Sequence, residues 1–384
     1  MPRTARTGGV GSSALTFGGV AVLLAALVAL GTSGGADDGT DSSLISCPAA
    51  PPDAGSYDRR SAARRAGGEI VFATANVEWL FDGLHDPLAP WRGEREAAAH
   101  LSAVAAALHA LDADVLALVE TEGCFMLRRL AGELDRLRNA SAAGAAGAAG
   151  AYGSFLVAGR DTHTRQQVGL LTRLAPAQEL QRSAARARYP REGSRCGARA
   201  RPLSRSAGVS KHFWTVLRVP ELGGAELLLV GAHLKARPTA PDACSQREAQ
   251  AEVLAGLVAR EGTRKGRHVL LMGDLNDFDG ADASDNAPSS SVLRQLTTEA
   301  GLVSAMAAGA AAVPKAERWT WRATRRLDAA RSEELRNPRH PRGALDHVLL
   351  SEGLAKMVDR VWVDRAVPGA SDHFPLAVRL SFAS

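Results

Sequence analysis

The sequence predicts an α/β fold in which strands and helices pack in layers. Apolar strands and segments of helical period interleave along the whole chain, and the strands are near-continuous apolar runs such as HVLLMGD, the form a core strand takes. No repeat period competes with that reading. With 384 residues, 46% of them hydrophobic, there is material for one large domain of this class or two small ones.

Residues 1–36 read as a signal peptide or signal anchor: Arg3 and Arg6 precede VAVLLAALVAL, and GTSGGA offers small residues for cleavage near Ala36. Eleven strongly apolar residues are few for a membrane span, which favours a cleaved secretory signal over a membrane anchor or an organellar transit peptide. Residues 37–66, rich in Asp, Ser, Pro and Gly, read as a linker or pro-segment, and 67–384 as the folded domain. EIVFATANV (69–77) opens that domain as a strand. Residues 94–111 set Ala97, Leu101, Val104, Leu108 and Leu111 at helical spacing. DVLALVE (114–120) is the next strand, and a helix carrying Leu127, Leu130, Leu134 and Leu137 follows. The Ala/Gly tract from Asn139 onward reads as a surface loop, with Asn139-Ala140-Ser141 a glycosylation sequon.

Strands are expected at 167–173, 211–219 and 225–234, a helix at 246–260, a strand at 268–274 and a helix at 291–300. Strands at 345–351, 359–365 and 374–380 complete the domain. The four cysteines, an even number in a chain with a secretory leader, suggest two disulfides. Their positions around the strands favour Cys47–Cys124 and Cys196–Cys244 among the three possible connectivities. No C-x-x-C or His-paired spacing points to zinc. The net charge of +5 and pI near 9.3 suggest anionic partners, but only five of the 46 basic residues are lysine. Such an arginine bias is what GC-rich coding would produce, so the charge is weak evidence for nucleic acid.

The apolar strands keep ending in the same kinds of residue. Asn76, Glu120, His233, Asp274 with Asn276, Asp346 and the run Ser371-Asp372-His373 all stand at strand ends, where ligands bind in layered α/β sheets. Carboxylate and amide oxygens suit Mg2+ or Mn2+. Singly, Asn76 reads as a turn residue, Asp274 and Asn276 as an Asx turn, and each histidine as structural; their convergence makes those readings poor. A calcium loop at 274–279 would need a ligand where Phe278 stands, although a separate structural Ca2+ site stays open.

The stretches ATANVEWLFDG, ALVETEG, GAHLKA, LLMGDLNDF, LDHVLL and SDHFPLAV resemble, in order, those of the endonuclease/exonuclease/phosphatase superfamily, the DNase I-like fold. The resemblance implies a four-layer α/β sandwich, two packed mixed β-sheets flanked by helices, and metal-dependent cleavage of phosphate esters. It implies Asn76, Glu120 and Asp372 as metal-site residues and Asp274 and Asn276 as the groups that position and activate water. His373, paired with Asp346, would stand at the scissile phosphate, with His233 contacting the phosphate or protonating the leaving oxygen. Lys211 and Lys235, two of so few lysines, fall in strand-end motifs and suggest phosphate contacts.

These features point to an extracytoplasmic, monomeric phosphodiesterase, a nuclease first, with nucleic acid or another phosphodiester as substrate and no obligate protein partner. The alternatives are a sphingomyelinase-like lipid phosphodiesterase or other phosphatase, and a catalytically idle module that binds anionic ligands. The arginine-rich stretch 181–206 could grip a phosphate backbone or anionic lipid, or be a solvated insertion. Trp319 and Trp321 could stack on bases, dip into a membrane interface or pack in the core. Motifs of serine hydrolases, zinc proteases, P-loop and dinucleotide enzymes are absent.

Overall fold

Alternate residues of strand β1 (Glu69–Leu80) feed two different cores. Ile70 and Phe72 belong to one, while Val71, Ala73, Ala75 and Val77 belong to another. Strand β2 (Val115–Thr121) divides in the same way, with Val115, Ala117 and Val119 set against Leu116 and Leu118. Helices α1 (Glu94–His109) and α2 (Cys124–Ser141) close the second core with Leu101, Val104, Leu108, Leu127, Leu130 and Leu134. Strands β8 (Glu226–His233) and β9 (His268–Asp274) send Leu227, Leu229, Leu270 and Met272 to the first core. Their alternate residues Leu228, Val230, Val269 and Leu271 meet Val253, Leu254 and Leu257 of helix α3 (Pro241–Leu257). The order helix, sheet, sheet, helix follows, and it explains the continuous apolar strands: both faces of each sheet are covered.

The computed structural model describes residues 47, 68–84, 86–141, 151–194, 196, 205–238, 240–278, 290–322 and 342–382. The leader, nearly all of the linker, most of the Ala/Gly tract and part of the arginine-rich stretch lie outside the described residues. The remaining strands are β3 (Gly153–Leu156), β4 (Gln167–Thr172), β5 (Ala187–Tyr189), β6 (Arg205–Ala207), β7 (Lys211–Arg218), β10 (Leu302–Ser304), β11 (Trp321–Arg322), β12 (Arg342–Gly343), β13 (Asp346–Ser351), β14 (Val358–Val363) and β15 (Leu376–Ser381). One mixed sheet runs β14-β15-β1-β2-β4-β3 and the other β10-β13-β9-β8-β7, and β5/β6 and β11/β12 form two small ribbons.

Three expected elements differ in detail. Helix α3 starts at Pro241, whose fixed φ and missing N–H suit a first turn, and it leaves α geometry after Leu257 in a wide turn over Val258–Gly262. The expected helix 291–300 is one turn, Val292–Arg294, followed by a wide turn over Gln295–Glu299. Asn139 to Ser141 continue α2 instead of opening a loop, with the sequon exposed on its last turn. Disulfides join Cys47 to Cys124 and Cys196 to Cys244, the expected pairing. Among the described residues no helix is long and apolar enough to cross a membrane.

Candidate active site

The polar strand ends of the second sheet form one row. Lys211 pairs with His233 across β7 and β8, His233 with Asp274 across β8 and β9, and Asp274 with Asp346 across β9 and β13. Residues opposite one another share a face. Counting back in twos from Asp274 gives Met272 and Leu270, members of the inter-sheet core, so the row lies on the face turned to the other sheet. Gly273 permits this register. Its φ is +146°, and a Cβ there would lie 1.9 Å from the Ala232 carbonyl oxygen.

From the first sheet, Asn76 continues the parity of Phe72 and faces the same gap. Its amide donates to Glu120 Oε1 and to Asp274 Oδ2, both at 3.1 Å, so it spans the two sheets. Glu120 follows Val119 and by alternation would face the helices. A register shift interrupts β2 between Val119 and Thr121, and Glu120 takes φ 68°, which turns its carboxylate to Asn76 instead. The Trp79 N–H donates to Glu120 Oε2 at 3.3 Å and fixes it there. Glu78, also at positive φ, donates its N–H to Asn76 Oδ1 and accepts the Asp372 N–H at Oε2.

The last contributors come from the loop before β15. His373 Nδ1 lies 2.7 Å from Asp346 Oδ2, while its Nε2 is 3.9 Å from Asp274 Oδ2. His233 Nε2 stands 3.7 Å from the same Asp274 oxygen. Trp321 donates its indole N–H to Asp372 Oδ2 at 3.1 Å, and the Thr320 hydroxyl accepts the N–H groups of Leu345 and Asp346. Asn276, at φ 49°, donates its N–H to Asp274 Oδ1 at 2.8 Å. Two sheets and two loops thus converge on one small volume.

Charge is crowded here. Burial pushes the Asp274 carboxyl up to about 7, with Asp346 adding to the shift and His373 and Asn276 opposing it. Burial works against the His373 cation, yet Asp346, Asp372 and Asp274 outweigh it and hold the imidazole well above its ordinary value. Burial first, then Asp372 and Glu120, raise Glu78 to about 8. Like charges held this close are relieved by a divalent cation, and an oxygen-only set of Asn76, Glu78, Glu120 and Asp372 fits Mg2+ or Mn2+ chemistry. Ligand atoms of Asp274, Asp346 and His373 also lie within 4.8 Å of one another, a second grouping of metal-ligand type.

The profile described as the Endonuclease/Exonuclease/phosphatase family matches residues 73–373, from β1 to His373. The chain belongs to this family. A family protein from Leptotrichia buccalis has TM-score 0.50 at 13% identity, covering 81% of this chain and 99% of that one. One from Bacteroides thetaiotaomicron has TM-score 0.48 at 16% identity, over 82% and 98% of the two chains. Truncated Caenorhabditis elegans TDP2 has TM-score 0.44 at 17% identity, over 82% and 97%. No curated protein matches the chain.

As a member of the endonuclease/exonuclease/phosphatase family, the chain brings together Asn76, Glu120, His233, Asp274, Asn276, Asp346, Asp372 and His373, all buried. Lys211 joins them: it is buried, its charge acts with those of Glu120 and Asp274, and its ammonium holds Gln166 at 3.1 Å and Asp161 at 3.5 Å. Lys235 does not join. Its side chain is exposed, and it is the backbone N–H and carbonyl of Lys235 that bond, to Gln250 and Arg247. Glu78 is the addition that sequence reading missed, and the contact of Trp321 with Asp372 is the role it left open. Glu78 stands two residues past Asn76 in a strand, where alternation alone would have suggested the same face. Trp321 is buried on Asp372, and the half-buried Trp319 packs edge-on to Phe374 and against Arg365. In the arginine-rich stretch, Arg182 bonds three backbone carbonyls and Arg191 pairs with Glu252 and Glu299, while Arg195, Arg199 and Arg201 lie outside the described residues.

Proposed function

We propose that this chain is a divalent-metal-dependent hydrolase of phosphodiester bonds, acting outside the cytoplasm and on nucleic acid first among substrates. Membership of the family supports phosphoester hydrolysis, and the two disulfides support an oxidising compartment. The observation that carries the reading is the Asn76 amide, which joins the Asp274 row of one sheet to the Glu120 carboxylate of the other.

Asn76, Glu120 and Asp372, with Glu78 beside them, would hold a Mg2+ or Mn2+ ion, which would supply charge neutralisation at the scissile phosphate. Asp274, raised to about 7 and fixed by the Asn276 N–H, takes the proton of the attacking water at neutral pH. Asn276 orients that water through its side chain. His373, cationic because Asp346 holds Nδ1, presents Nε2 to the phosphate oxygens. His233, on the other side of Asp274, donates to the phosphate or to the leaving oxygen. Lys211 adds positive charge from the β7 end of the row. Phosphoryl transfer needs such positioning and charge compensation more than covalent help.

The test is to assay the purified chain on plasmid DNA, RNA, sphingomyelin and an aryl phosphodiester, with Mg2+ and after chelation. Metal-dependent cleavage of DNA or RNA is the expected result. Turnover of sphingomyelin alone would move the chain to lipid hydrolysis, and no turnover of any substrate would defeat the reading.

A further inference from the structure

Beside the catalytic cluster lies a cavity of about 930 Å3, and Glu78 and Ser371 form the wall between the two. The Ser371 hydroxyl donates to the Asn76 carbonyl and accepts the His373 N–H, so a group in the cavity sits next to the reacting phosphate. Ligand pockets span about 300–1,000 Å3, so the space is large enough for a ring system. Trp91 and His100 line it, with ring centroids 4.1 Å apart in a stacked arrangement. The indole N–H donates to the Trp79 carbonyl at 2.6 Å and His100 Nε2 contacts the Val77 carbonyl at 2.8 Å, so both rings are locked. With His100 against one side of the indole, its remaining surface is available to a ligand.

The rest of the lining decides the ligand class. Glu96, whose Oε2 accepts the Arg92 backbone N–H at 2.9 Å, brings a carboxylate to the lining, and Arg92, exposed, supplies a cation without an ion-pair partner among the described residues. An acyl chain laid here would strip water from these charged groups and return no hydrogen bonds. A flat ring bearing N–H or O–H donors meets the Glu96 carboxylate and stacks on Trp91, while a neighbouring phosphate meets Arg92.

We infer that this cavity is a nucleoside subsite, in which Trp91 stacks on the base attached to the scissile phosphate and Arg92 receives the adjoining phosphate. The inference rests on the proposed phosphodiesterase reading and names the substrate class of the same site.

Two measurements on the full chain separate its failure from failure of that reading. Equilibrium titration with thymidine 5′-monophosphate, ribose 5-phosphate and inorganic phosphate reads the cavity without turnover. The nucleotide should bind roughly 10-fold or more tightly than the other two, the scale of one base stacked on an aromatic side chain. Trp91→Ala should erase most of that margin and Trp91→Phe should keep much of it, with thermal melts confirming that both fold. Equal binding of nucleotide and inorganic phosphate, equal binding of nucleotide and ribose 5-phosphate, or a margin untouched in Trp91→Ala would overturn the inference. Separately, the kcat/KM ratio of thymidylyl-thymidine to methyl p-nitrophenyl phosphate should fall about 10-fold in Trp91→Ala, and an unchanged ratio also counts against the subsite. If the wild-type chain hydrolyses neither ester yet keeps the binding margin, it is the catalytic reading that fails.

Discussion

His373 depends on Asp346 for its orientation and its charge. Asp346 is fully buried, its N–H is tied to Thr320, and its Oδ2 meets the imidazole Nδ1. Asp346→Asn keeps the shape but removes the anion that fixes the tautomer and raises the imidazole. The rate should fall about 10²–10⁴-fold with the fold intact, the usual cost of losing a positioned acid or base. His373→Ala should cost at least as much and the double variant little more, because the two act as one unit. Strictly additive losses in kcat would show that they act separately. Most of these residues were legible in the sequence because buried strands rarely end in so many acids and histidines without a use. Lys235 shows the limit of that signal: scarcity of lysine says nothing about burial, and this side chain is exposed outside the cluster.

The bulge at Glu120 is the element that a period-two reading could not supply. Alternation puts Glu120 on the helix side, and only the register shift and φ of 68° bring it round. Short strands such as β3 and β10, and the β11/β12 ribbon that carries Trp321, were equally invisible, since two to four residues hold no period. Behind the cluster, Arg247 at the centre of α3 is fully buried and donates to the carbonyls of Lys235, Arg237 and Pro238, with Asp277 at 3.6 Å. It ties the loop after His233 to the loop after Asn276. Arg247→Ala leaves Asp277 without its cationic partner and should destabilise the fold by about 3–5 kcal/mol, read as a drop in the denaturant midpoint. A midpoint within error of wild type would remove Arg247 from this role. The disulfides act on a similar scale. Closing separations of 77 and 48 residues constrains the unfolded chain, and loss of either bond through a paired Cys→Ser change should cost about 4 kcal/mol by chain entropy. An unchanged melting temperature in both pairs would contradict that.

Across the whole molecule, buried groups pull stability in opposite directions in acid: the raised carboxyls of Glu78, Asp274 and Asp277 favour the folded chain as pH falls, while the buried imidazoles of His100 and His212 oppose it. The Ser183 N–H donates to His212 Nε2, and burial, helped by Arg182, holds that imidazole down to about 4. Between pH 6.5 and 4 the unfolded chain binds a proton at His212 that the folded chain refuses, so this residue's contribution is full above 6.5 and is lost as pH falls towards 4. The contribution is ~3 kcal/mol from the size of the shift. In melts between pH 7 and 4, His212→Gln should therefore gain stability relative to wild type as pH falls, and a difference between the two that does not change with pH would remove His212 from this role. The fold itself was legible at this scale, because sheets covered on both faces write long apolar runs and their ends mark the gap between the two sheets. That gap is the heart of the account: Asn76 and Glu120 of one sheet, with Asp372 from the loop before β15, face Asp274 and Asp346 of the other across it, and the proposed divalent ion would be held by the first group beside Asp274 and His373. The most direct measurement is phosphodiester turnover by the purified chain during titration with Mg2+ after exhaustive chelation, for wild type and for Glu120→Gln. The account predicts no turnover in the chelated protein, saturable recovery with added Mg2+, and a half-saturating concentration at least about 10-fold higher in Glu120→Gln, the scale for weakening a ligand shell. Full turnover without the ion, or a Glu120→Gln curve that overlays wild type, would contradict it.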